Sequence, residues 1–222
     1  MLNMSNMATT DNNSLSPSPT PADKAVQIRK EEINKIALEN LRDPDIKLKN
    51  WQIAAFLRLD EKRLNVISVP TGSGKTMIYG LAPVLLGRAV LVICPLLSLL
   101  ADQIENIHQR YKYKAEQMTT ETNIEELAER IRANEIRIVF TTPESYMKFY
   151  KRLSAGGKLF NELFSAFVID EAQDLVLMDV SFRRDFMQIS KQQFPKLLLL
   201  SGSLTKFLDY LLRHSKHVVR SL

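Results

Sequence analysis

Residues 69–76 read VPTGSGKT, directly after the apolar run VISV at 66–69 and directly before a helical pattern over 75–86. Two glycines so close together carry a conformational cost, so the stretch should hold something. Glycine lets the backbone approach a phosphate closely, and N–H groups at a helix start point at an anion. Strand, GSGKT and helix in that order read as a phosphate loop. Thr71, Gly72, Ser73 and Gly74 would form the cradle. Lys75 would reach the β- and γ-phosphates, and the Thr76 hydroxyl would face Mg²⁺. The full pattern carries a glycine where this chain has Pro70. The competing reading is a glycine turn before a helix, with a surface lysine.

Around that loop, apolar β-rich runs at 66–69, 89–93, 136–140, 166–169 and 197–200 alternate with helical patterns. The helical patterns cover 75–86, 96–110, 123–134, 143–153, 182–193 and 204–214, with a short apolar run at 217–219. Near-continuous apolar strands separated by helices predict an α/β fold: a mostly parallel sheet with helices on both faces. Two more helices are expected upstream, over 24–42 and 50–60, the first ended by Asp43-Pro44. Residues 1–23 are rich in Ser, Thr, Asn and Pro and are expected to form a disordered tail before a single lobe over 24–222.

Composition narrows the class. At 222 residues the chain suits one ordinary domain plus a tail. Its 45% apolar and 25% charged residues are those of a soluble globular protein. No run reaches the roughly 18 apolar residues of a membrane span, and the first residues lack the marks of a leader. A single cysteine, Cys94, rules out internal disulfides and Cys-rich zinc sites, and makes a reducing intracellular compartment the natural one. The net charge of +5 is compatible with nucleic acid without requiring it.

A phosphate loop needs an acid at the end of a neighbouring strand. FVIDE (167–171) supplies Asp170, expected at Mg²⁺, and Glu171, expected to orient and deprotonate the attacking water. A plain helix start is the other reading, since acids favour helix N-termini. The stretches CPLLSLL and TTPES each place a proline at or just before a helix start. Thr142 is a candidate N-cap, and both starts should open on the same sheet edge, where free N–H groups suit an anion or mark ordinary capping. His108, His214 and His217 have no ligand-like spacing and are read as surface residues. Trp51 is read as core. Lys148, Lys151, Arg152 and Lys158 form a basic cluster beside the TTPES helix, lining a polyanion path or a solvated face.

Taken together, these stretches resemble superfamily 2 helicases, and within them the RecQ-like DNA helicases, over about residues 45–215. CPLLSLLADQ (94–103) is similar to the family's PLISLMKDQ, TTPESY (141–146) to its TPE segment, DEAQ (170–173) to its DEAH, and SGSLT (201–205) to its Ser/Thr-Ala-Thr. Gln52 in NWQIAAF stands at the place of the family's adenine-reading glutamine. The resemblance implies a RecA-like P-loop lobe of a nuclear, ATP-dependent 3'-5' DNA helicase. It implies catalytic roles for Lys75, Asp170, Glu171 and Gln173. DNA contacts are implied at Pro95, Ser98, Thr142, Pro143, Glu144, Phe182 and Arg183.

The chain departs from the family pattern at four points. Gln173 replaces the histidine and cannot titrate. The loop DLVLMDVSFRRDF (174–186) carries Met178 and Val180 at the family's tryptophan and histidine positions, which removes a base-stacking face. Gly202 stands where the family has alanine, adding freedom where a relay should be stiff. A second lobe, source of the family's arginine finger, is not recognisable before Leu222, so the lobe alone is expected to bind ATP weakly and hydrolyse it slowly. Two alternatives stay open: a non-unwinding module that binds ATP or nucleic acid, and a small P-loop kinase, in which the PLLSLL, TPES and DEAQ segments would have no role.

Overall fold

The computed structural model describes residues 20–62, 64–94, 97–152, 158–173 and 195–203. Six parallel strands form one sheet in the order β1-β6-β5-β2-β4-β3. They are β1 (Leu64–Ser68), β2 (Ala89–Ile93), β3 (Lys114–Met118), β4 (Ile136–Thr141), β5 (Phe164–Ile169) and β6 (Leu197–Ser201). The α/β architecture read from the apolar strands is therefore the one observed. β5 and β6 lie between β1 and β2, so the chain end of β1 sits close to the ends of two strands remote from it in sequence.

The inner strands are mostly apolar because each faces a core on both sides, whereas the edge strands β1 and β3 carry polar residues. Val90 and Val92 of β2, Ala166 and Val168 of β5, and Leu198 and Leu200 of β6 point to one core. Leu91 and Ile93, Phe167 and Ile169, and Leu199 point to the other, as the two-residue period of a strand requires. The first core is closed by α1 (Pro21–Asn40), α2 (Asn50–Glu61), α3 (Thr76–Leu85) and α4 (Leu100–Arg110). The second is closed by α5 (Ile124–Arg132), α6 (Pro143–Arg152) and α7 (Lys158–Leu163). Phe160, Phe164, Phe167 and Tyr146 pack there as an aromatic cluster with centroids 5.7–6.5 Å apart.

The helix after the phosphate loop is the most enclosed. Met77 to Pro83 of α3 are all buried. Gly80 is there because Tyr111 crosses it: a Cβ at Gly80 would lie 2.0 Å from the Tyr111 hydroxyl oxygen. Tyr111 in turn bonds through that hydroxyl to Met77 Sδ at 3.4 Å and stacks at a tilt on Tyr113. α1 is tied to the same region by Arg42, whose side chain donates to the carbonyls of His108 and Tyr111.

Several details differ from the sequence reading. α1 begins at Pro21, inside the stretch read as a tail, because Thr20 caps it. The Thr20 hydroxyl accepts from Asp23 N, and Asp23 accepts from Thr20 N, a reciprocal capping box with proline at the first position. β3 and α7 were not read at all. His108 is not a free surface residue: it is half-buried, and its Nε2 contacts both the N–H and the carbonyl of Ala115. The expected helices over 182–193 and 204–214, the run at 217–219, most of the expected tail, His214 and His217 lie outside the described residues.

Candidate nucleotide site

The phosphate loop leaves β1 at Ser68 and turns back into α3 at Thr76. Gly72 and Gly74 adopt φ of +76° and +99°, a region that side chains rarely enter. The N–H groups of Gly74, Lys75 and Thr76 reach no protein acceptor among the described residues. Ser73 Oγ is also buried without a partner. Donors left open around a glycine turn at a helix start make a cradle for an anion.

The acids at the end of β5 meet this loop. Lys75 Nζ lies 3.1 Å from Glu171 Oε1 and 3.3 Å from Oε2. Lys75 is only 8% exposed, so the pair is largely shielded from water. Glu171 reaches back because its backbone is left-handed, with φ +47°. That conformation is uncommon for a residue with a side chain and is held by its surroundings. Gln173 Nε2 donates to Glu171 Oε2 at 2.6 Å. Its Oε1 accepts from Ser201 Oγ at 2.6 Å and from Gly202 N at 3.2 Å. Ser201 Oγ also accepts from Ser203 N, and Ser203 O is the alternative acceptor for its one proton. A continuous polar chain thus runs from the phosphate loop through DEAQ to SGS.

Asp170 is 5% exposed, at the sheet edge where its N–H bonds to Ile93 O. One carboxylate oxygen accepts from Glu171 N at 3.0 Å, the other from Gln103 Nε2 at 3.2 Å. Gln103 Oε1 accepts from the Tyr79 hydroxyl at 2.9 Å. Burial, with the neighbouring Glu171 charge second, raises the Asp170 carboxyl above its ordinary value. Burial likewise pushes the Tyr79 phenol well up, so it keeps its proton and donates. A buried carboxylate disfavoured in this way suits a cation ligand. Together with the open N–H groups, these residues fit a metal-bound polyphosphate.

Gln52 lies against the loop rather than apart from it. Its Nε2 donates to Gly74 O at 3.1 Å and its Oε1 accepts from Lys49 N at 2.8 Å. Beyond these bonds the amide keeps one N–H and one lone pair, on a side chain only 3% exposed. Lys49 Nζ donates to Ser73 O at 2.8 Å, so α2 braces the loop at two points. Gly202 sits opposite: a Cβ there would lie 3.2 Å from Thr71 Oγ1 and 3.5 Å from Lys75 Nζ. Glycine at this position therefore serves close approach to the loop.

Of the residues expected to face nucleic acid, Ser98 lies in the 3-10 turn after β2, and Thr142, Pro143 and Glu144 lie at the start of α6 after β4. Ile93 pairs with Thr141, so the segments following β2 and β4 leave the same edge side by side. Thr142 Oγ1 accepts from Ser145 N and caps α6, with Pro143 at its first position and Glu144 exposed. Ser98 is exposed in the 3-10 turn Leu97–Leu99. Pro95, Phe182, Arg183, the 174–186 loop and the side chains of Lys151, Arg152 and Lys158 lie outside the described residues. The sequence reading missed Tyr79, Gln103 and Lys49 as members of the site. Gln103 at the end of CPLLSLLADQ was the available signal for the second of these.

The chain is similar to several known proteins. The profile of the DEAD/DEAH box helicase family matches residues 49–211. A probable ATP-dependent DNA helicase RecS of Bacillus subtilis is 30% identical over 64% of this chain and 29% of its own length. ATP-dependent DNA helicase Q-like 4B of Arabidopsis thaliana is 30% identical over 63% of this chain and 13% of its own length. A putative ATP-dependent DNA helicase Q1 of Caenorhabditis briggsae is 29% identical over 83% of this chain and 29% of its own length. The chain thus spans less than a third of each of these relatives. The helicase domain of Pyrococcus furiosus Hef superposes with a TM-score of 0.59 at 18% identity, over 80% of this chain and 38% of that one. A hypothetical ATP-dependent RNA helicase from Sulfolobus tokodaii gives 0.59 at 22% identity, over 84% and 55%. These likenesses show the RecA-like fold. The chain belongs to the DEAD/DEAH box helicase family.

Proposed function

We propose that this lobe binds ATP with Mg²⁺ and couples its hydrolysis to DNA, as the ATP-gripping part of a RecQ-like 3'-5' DNA helicase in the nucleus. The observation that carries this reading is the junction of Lys75 with Glu171 at 3.1 Å, continued through Gln173 to Ser201 and Gly202. Residues far apart in sequence converge there on open N–H donors.

In this reading Gly72, Ser73, Gly74 and Thr76 hold the phosphates, Lys75 moves from Glu171 to the β- and γ-phosphates, and Gln52 reads adenine. Asp170 and Thr76 hold the metal, which when bound neutralises charge on the phosphate oxygens. Glu171, released by Lys75, orients the attacking water and takes its proton. Gln173 passes the change to the SGS turn without a titration of its own. Ser98, Thr142, Pro143 and Glu144 face the DNA strand beside β2 and β4. Translocation needs a second lobe to supply an arginine finger and something to move against.

The test is ATP turnover by the chain with and without single-stranded DNA. Stimulation by DNA supports the motor reading. Nucleotide binding with no stimulation sinks it in favour of a non-unwinding module.

A further inference from the structure

Tyr79, fully buried, and Gln103, half-buried, form a polar pair that hydrophobic packing alone does not require. Tyr79 is fully buried on α3, with Phe140 edge-on at 6.0 Å. A phenylalanine would fill the same space. Its hydroxyl instead donates to Gln103 Oε1, and Gln103 Nε2 donates to Asp170 Oδ2.

The direction of these bonds is fixed by chemistry. An ionised carboxylate only accepts, so the amide must turn its NH₂ to Asp170 and its oxygen away. That oxygen then needs a donor, and the phenol supplies one. The phenol thus adds a second hold on an orientation the carboxylate already favours, and it pins the amide in place. Glu171 N holds the other Asp170 oxygen, so the two bonds together fix the carboxylate plane. Thr76 begins α3 one turn before Tyr79, at i, i+3, on the same side of the helix.

We propose that Gln103, oriented by Tyr79, is a positioning residue for Asp170 and sets that carboxylate for the divalent cation accompanying the nucleotide. This rests on the nucleotide reading of the site. Partners that orient metal ligands commonly govern cation affinity by about 10–100-fold. A pair that merely satisfied buried groups would change stability and leave the cation dependence alone.

The experiment uses the 222-residue chain, a fluorescent ATP analogue, and two titrations: one in EDTA and one with rising Mg²⁺ at fixed nucleotide. Wild type is compared with Gln103→Leu and Tyr79→Phe, each checked for folding by circular dichroism. The expected result is nucleotide affinity in EDTA within about twofold of wild type. The Mg²⁺ midpoint should rise about tenfold in Gln103→Leu, and by less, in the same direction, in Tyr79→Phe. Coincident Mg²⁺ curves for wild type and either folded variant overturn the proposal. If Gln103→Leu fails to fold, Tyr79→Phe decides alone. Wild type that binds no analogue in either titration removes the nucleotide reading itself, a result distinct from a missing Mg²⁺ shift.

Discussion

Glu171→Gln should move three measurements in different directions. The substitution keeps size and hydrogen-bonding capacity but removes the counter-charge of Lys75. Unit charges 3.1 Å apart attract by about 5 kcal/mol at an effective dielectric near 20. Much of that is offset by desolvation, and Glu171 retains 23% exposure. A net loss of about 1.5–3 kcal/mol, the worth of a charged hydrogen bond, is expected in the nucleotide-free protein. In the proposed reading, nucleotide phosphates replace Glu171 as the partner of Lys75, so the bound state would not share that loss. By the thermodynamic cycle, affinity rises by what the free state loses. At 1.4 kcal/mol per decade, that is about tenfold to a hundredfold at most. Turnover should meanwhile fall about 10²–10⁴-fold with the general base gone. The assay is urea denaturation with and without nucleotide, plus a fluorescent-nucleotide titration and a phosphate-release rate. If affinity falls together with stability, Lys75 does not exchange Glu171 for phosphate and the reasoning fails.

Three further substitutions probe other parts of the account. Asp170→Asn should stabilise the nucleotide-free protein at neutral pH, because the folded state raises this carboxyl and so disfavours its ionised form. The gain should shrink as pH falls toward the ordinary aspartate range, where the acid is protonated folded or unfolded; a melting-temperature series against pH reads this, and loss of stability at neutral pH counts against it. The Tyr79–Gln103 relay tolerates the change, since an amide at 170 can donate to Gln103 and reverse both bonds. Gly80→Ala should cost about 1–2 kcal/mol, overpacking against the Tyr111 ring exceeding the helix-propensity gain; a melting temperature that rises instead refutes the packing. Gly202→Ala should leave stability within about 0.5 kcal/mol and nucleotide affinity nearly unchanged. The exposed Thr71 side chain can turn from a Cβ 3.2 Å away, and a large loss of affinity would show that the loop cannot give.

The sheet was legible where strands are buried on both faces. AVLVI and FVI are buried at every residue and LLLL at all but Leu197, and the matching strands are β2, β5 and β6. β3 was not, because KAEQM is an edge strand that buries only Ala115 and Met118 and has no β-branched residue. α7 is six residues long, too short for a helical period to emerge. The start of α1 was legible in Thr20-Pro21-Ala22-Asp23, a capping signature obscured by the Ser/Pro-rich residues before it. At the site, GSGKT and DEAQ announce their chemistry through local pattern. Tyr79, Gln103 and Lys49 act through contacts between α2, α3, α4 and the loop, which no local spacing encodes. The SGS glycine illustrates the difference: from sequence it is excess freedom, in the fold it is clearance beside Thr71 and Lys75.

The most direct measurement is the affinity of Lys75→Ala for a fluorescent ATP analogue, in the presence of Mg²⁺, beside that of the unaltered chain. A loss of at least about tenfold, or 1.4 kcal/mol, is expected with circular dichroism unchanged. Equal affinity in a folded variant would contradict the claim that this lysine grips the phosphates.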